Sequence, residues 1–95
     1  MIRKQRSSDK SLTKVTFVLP DDGQDVSVIA DFNSWDPHAH PLKRRPNGTR
    51  SIQVSLASGT QVRFRYLSEG LFFDDPCADG YEPNGRGETH SLVTV

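Results

Sequence analysis

The hexapeptide Asp31-Phe32-Asn33-Ser34-Trp35-Asp36 holds the single tryptophan of a 95-residue chain. Its neighbours Asn33, Ser34, Asp36 and Pro37 are turn formers, which favour the protein surface. A large flat ring fixed on a polar turn suits stacking against the apolar face of a sugar ring, while nearby polar groups bond the sugar's hydroxyls. Asn33 is the amide best placed to donate and accept there, and its competing use is an Asx turn that caps its own loop. The competing use of Trp35 is as a lid folded back over one end of the fold.

The remaining reactive residues offer little catalysis. Asp74 and Asp75 are adjacent, so on an extended chain their carboxylates point apart and cannot work as a general acid/base pair. Asp36, His38 and His40 lack a well-spaced further ligand, so no metal site is expected. Cys77 has no evident activating partner. No helix is expected after Gly80, Gly85 and Gly87, so these glycines do not read as a phosphate loop. Neither a catalytic residue nor a cofactor is expected.

The elements that must carry these residues read as strands. Val15, Phe17 and Leu19 alternate with Thr16 and Val18, and Val26, Val28 and Ala30 form the inward row of a second strand. Ile52, Val54 and Leu56, then Val62, Phe64 and Tyr66, repeat the period of two. Turn signals separate them at Asp21-Asp22-Gly23, Pro46-Asn47-Gly48, Ser58-Gly59 and Glu69-Gly70. A Gly/Pro-rich loop over 76–88 precedes a closing strand around Leu92–Val95. No apolar spacing of helical period persists, so the fold class predicted is all-β, an antiparallel β-sandwich without a substantial helix. Lys43-Arg44-Arg45-Pro46 reads as edge protection by charge and proline. With Val62, Phe64 and Tyr66 inward, Arg63, Arg65 and Leu67 stand on the outer face. Phe72 and Phe73 point to opposite faces, and the sequence does not fix which is outside.

The formal charge is zero, but it is unevenly spread. Residues 1–14 hold five cations against Asp9, whereas residues 69–89 hold six carboxylates against Arg86. Residues 1–12 are read as a disordered basic arm and 13–95 as the folded module. The arm lacks interleaved aromatics, so nucleic acid is not an expected partner. No apolar run is long enough to cross a membrane, and the basic start lacks the apolar core of a secretory signal. One cysteine fits a reducing compartment, and the reading is cytoplasmic.

The stretch Val26-Ser-Val-Ile-Ala-Asp-Phe-Asn-Ser-Trp-Asp-Pro37, then Pro41-Leu42, then Phe64-Arg-Tyr-Leu-Ser-Glu-Gly-Leu-Phe-Phe-Asp-Asp-Pro76, resembles the family-48 carbohydrate-binding module. That module precedes the catalytic barrel of isoamylases and branching enzymes. It is also the glycogen-binding domain of the AMP-activated protein kinase beta subunit. The resemblance runs over residues 13–95 and extends through the loop motif from Asp74 to Gly87. It implies an immunoglobulin-like sandwich of the early-set type and non-catalytic binding of α-1,4-glucan, glycogen or starch. Matched to the kinase-type platform, its first Trp is Trp35 and its Lys is Arg65. Its second Trp falls on Phe72 and its Asn on His90. Phe72 then either lends an aromatic face or packs inward, and His90 is either a ligand contact or an ordinary strand-start residue. A protein-interaction module of the same fold, docking onto a carbohydrate-active enzyme or a kinase-like partner, is the alternative. Carbohydrate contacts are therefore expected at Trp35, Arg65, Phe72, His90 and Asn33.

Overall fold

The computed structural model describes residues 1–83 and 85–95, so Asn84 of the loop motif lies outside the described residues. The chain runs β1 (Ile2–Arg6), β2 (Leu12–Pro20), β3 (Ser27–Ala30), a 3-10 turn (Asp31–Asn33), β4 (Lys43–Arg44), β5 (Thr49–Ala57), β6 (Gln61–Ser68), β7 (Leu71–Phe73), β8 (Gly80–Pro83) and β9 (Thr89–Thr94). All strand pairs are antiparallel. One sheet has the order β1-β2-β5-β4 and the other β3-β6-β9-β8, with β7 also pairing β6. The result is the expected all-β immunoglobulin-like sandwich.

Period-two alternation explains the core. Val15 and Phe17 from the first sheet meet Val28, Phe64, Tyr66 and Val93 from the second, all fully buried. Phe17 and Phe64 lie 4.9 Å apart between ring centroids, and the Tyr66 ring stands edge-on to both. Ile52, Val54 and Leu56 lie half-buried against this cluster. The Tyr66 hydroxyl donates to the buried Asp75 carboxylate at 2.5 Å, which ties the 74–79 loop to the core. Burial, and then the Asp75 carboxylate, push the Tyr66 phenol well above its ordinary range, so it stays a neutral donor.

Two expectations are corrected. Residues 2–6 of the supposed disordered arm form β1, paired with β2 from Ile2↔Phe17 to Arg6↔Thr13. Composition missed it because a cation-rich strand needs only one apolar contact row, here Ile2, once a neighbour supplies the hydrogen bonds. Within the predicted 76–88 loop, Gly80–Pro83 forms β8 against β9. Its glycine and proline hide the alternation, and the pairing partner supplies the order.

A groove on the outer face of the second sheet

The register of the second sheet gathers scattered residues. Ile29 on β3 pairs with Arg65 on β6, Leu67 pairs with Phe72 on β7, and His90 on β9 pairs with Glu82 on β8. The β6–β9 register, through Phe64↔Ser91, sets His90 beside Arg65. Ile29, Arg65, Phe72, His90 and Glu82 thus share the outer face. The β6–β7 hairpin turns through Glu69 (φ 52) and Gly70 (φ 77). Two positive φ values make it the turn type whose twist matches paired strands, and the preference for glycine follows. This hairpin fixes Phe72 outward at 50% exposure, while Phe73 leans its ring on Tyr66 at 5.2 Å.

Trp35 reaches the same face from the loop after β3. Ser34 and Trp35 both adopt left-handed backbone (φ 58 each), which costs about 1 kcal/mol or more per non-glycine residue. The loop holds this conformation through Asn33. The Asn33 Oδ1 accepts from the Ala30 amide at 2.9 Å, and its Nδ2 donates to the Val28 carbonyl at 3.1 Å and meets His40 Nδ1 at 2.9 Å. The Trp35 amide donates to the Ala30 carbonyl at 2.8 Å. Asn33, expected as a sugar contact, is therefore corrected to a loop brace, because both ends of its amide are engaged beneath the turn.

The other four expected residues, Trp35, Arg65, Phe72 and His90, line one half-open groove of about 510 Å³. The Trp35 and His90 rings lie 5.8 Å apart and tilted by 32°. The Arg65 guanidinium sits over the Phe72 ring at 5.2 Å, donates to Glu88 Oε2 at 2.5 Å, and lies 3.6 Å from Asp74 Oδ1. These partners hold its planar fork in one orientation while Phe72 is flattened against it. His90 Nε2 bonds Glu82 Oε1 at 2.8 Å, which leaves Nδ1 for another partner. Arg63 also bonds Glu82, and the two side-chain bonds, Arg63's first, hold the Glu82 carboxyl below its usual range. Glu82 in turn raises the Arg63 guanidinium further.

Ile29 is the groove's floor and was not singled out from sequence. It is 5% exposed yet lies outside the main core cluster. An apolar residue at an outward parity position, opposite Arg65, was the available signal. Glu82, Glu88 and Asp74 orient the cations, and no spacing in the sequence pairs them. Asp74 and Asp75 diverge as expected. Asp74 accepts from Thr89 at 2.6 Å and Ser91 at 3.0 Å, whereas Asp75 faces the core. Among the described residues no three His, Cys, Asp or Glu side chains gather to hold a metal, and no helix is long and apolar enough to cross a membrane. Chemically, the groove offers an apolar floor, two ring surfaces and fixed donors, which fits a ligand that is flat and greasy on its faces and hydroxylated at its edge.

No protein-family model matches the chain. It is similar to 1,4-alpha-glucan branching enzymes named GlgB. Identity is 48% over 70 residues with that of Cupriavidus necator, covering 73% of this chain and 9% of the enzyme. It is 33% over 73 residues with that of Thermosynechococcus vestitus (75% and 10%). It is 38% over 77 residues with that of Burkholderia cenocepacia (74% and 10%). The chain thus spans about a tenth of the length of these relatives, as a small β-sandwich module. Among solved structures, the ferric enterobactin esterase of Salmonella typhimurium matches with a TM-score of 0.76 and 12% identity, over 99% of this chain and 34% of that one. That likeness concerns the fold alone.

Proposed function

We propose that the chain is a non-catalytic α-glucan-binding module of the family-48 carbohydrate-binding type, acting in a reducing cytoplasm. The observation that carries this reading is the convergence of Trp35, Arg65, Phe72 and His90 on one groove with an apolar floor. Trp35 and Phe72 are the stacking surfaces, Arg65 donates to ring hydroxyls, and His90 Nδ1 accepts from one. The similarity to enzymes whose name specifies 1,4-alpha-glucan supports the same ligand class. The site is shallow and open, so each contact contributes about 1 kcal/mol net. Four such net contributions sum to about 4 kcal/mol, which corresponds to a dissociation constant of roughly 1 mM per site. Useful retention then comes from the many binding units of a polymer.

The test is a titration with maltoheptaose that follows the fluorescence of the one tryptophan. A saturating change in that concentration range is expected, and a flat trace up to about 10 mM refutes the reading. A second reading, that this face docks on the body of a carbohydrate-active enzyme or another protein, is favoured by one observation. Phe72 (50% exposed) and its register partner Leu67, half-buried on β6, extend apolar surface along this face beside the groove. It predicts no glucan response.

A further inference from the structure

The outer face of the other sheet, β1-β2-β5-β4, has a different chemistry. Its outward positions, set by the registers Arg3↔Thr16↔Gln53, Gln5↔Lys14↔Ser55 and Val18↔Ser51↔Lys43, carry cations, hydroxyls and amides but no carboxylate and no aromatic ring. Among the described residues, the side-chain ion pairs made by this sheet's strands use cations of the opposite parity: Lys4 with Asp79, and Arg44 and Arg50 with Asp21. The outward cations Arg3, Lys14 and Lys43 are left exposed, with no carboxylate among the described residues bonding them. This face is concave at one place. A groove of about 350 Å³ is bounded by Arg3, Thr16 and Arg45, by Ser51, and by the Pro46–Thr49 turn, with Val18 beneath.

The donors in this groove are oriented and uncommitted. Arg45 is pinned by its Nε to Ser51 Oγ at 2.8 Å, which leaves Nη1 without a bond among the described residues. Ser51 Oγ accepts that bond and Thr16 Oγ1 accepts from Gln53 Nε2 at 3.3 Å, so both hydroxyls keep a hydrogen to donate. Two guanidiniums and two hydroxyl donors around a small hollow match a tetrahedral oxyanion, which takes bonds from several directions. The missing aromatic rings argue against a nucleic-acid strand, which binds by stacking as well as by charge.

We propose that this groove is a binding site for a phosphate group, either as the free anion or esterified to a sugar hydroxyl. It lies on the opposite sheet from the Trp35 groove and does not depend on the glucan reading.

The test titrates the isotope-labelled full chain at low ionic strength with inorganic phosphate. Glucose 6-phosphate forms a second arm, and sodium chloride is the ionic-strength control. Saturable amide shifts at residues 3, 16 and 45–51 are expected with phosphate and not with chloride. Arg3→Gln and Arg45→Gln are each expected to weaken binding about tenfold, with the circular dichroism spectrum and melting temperature unchanged. Tighter binding of glucose 6-phosphate identifies the ester as the source, and equal binding identifies the free anion. Shifts that follow chloride, that fall outside this groove, or that persist in both variants overturn the proposal.

Discussion

Replacing Trp35 with alanine removes most of the stacking surface without touching the strands that carry Arg65, Phe72 and His90. The ring is 38% exposed, which for a side chain of about 250 Å² leaves roughly 95 Å² open to a ligand. Covered completely, that area is worth about 2.4 kcal/mol at about 25 cal/mol per Å². A sugar covers one face of it, so the expected loss is about 1–2 kcal/mol, or 5- to 30-fold in affinity. Calorimetric titration with maltoheptaose reads the loss directly, and mobility in a glycogen-containing gel reads it through multivalency. Trp35→Gly separates ring from backbone. At φ 58 glycine relieves left-handed strain, so Trp35→Gly is expected to be more stable than Trp35→Ala by about 1 kcal/mol, the reverse of the usual order. An alanine variant that folds yet binds within about twofold of the parent refutes the stacking argument, since twofold is worth only about 0.4 kcal/mol. A glycine variant less stable than the alanine one refutes the strained turn.

Phe72→Trp enlarges the second ring at a half-exposed position and is expected to tighten maltoheptaose binding about threefold, measured the same way; weaker binding would mean that Phe72 does not face the sugar. Asn33→Ala removes the brace under the turn and is expected to lower stability by about 1–2 kcal/mol and the melting temperature by roughly 5–10 °C, seen by circular dichroism. Because Arg63 and then His90 hold the Glu82 carboxyl below its usual range, its contribution is present above the unfolded-state value near 4.5 and is lost as pH falls through the folded value. Urea midpoints should therefore show the parent more stable than Glu82→Gln at neutral pH, with the two converging below about pH 4. A gap that persists unchanged into acid contradicts that linkage.

Much of the fold was legible because a sheet writes its inner face as a period of two. Val15 and Phe17, Val28 and Ala30, and Phe64 and Tyr66 declare their side without knowledge of partners. The same parity set Arg63 and Arg65 outward, and the turn formers around Trp35 announced a surface ring. Parity is a local property, so it cannot show which strands become neighbours. The pairing of Ile2–Arg6 with β2 and of Gly80–Pro83 with β9 was decided only when those neighbours supplied the hydrogen bonds. Choosing between Phe72 and Phe73 needed the β6–β7 register, because adjacent strand residues are equivalent until pairing sets the face. Asn33 carried the same turn chemistry whether it faced a sugar or its own loop, and only the bonds to Ala30, Val28 and His40 separated the two. The sequence determined the strand faces, the turns and the inventory of rings and cations. Tertiary structure alone decided that Trp35, Arg65, Phe72 and His90 share a groove, because their adjacency is made by hydrogen bonds between strands far apart in the chain.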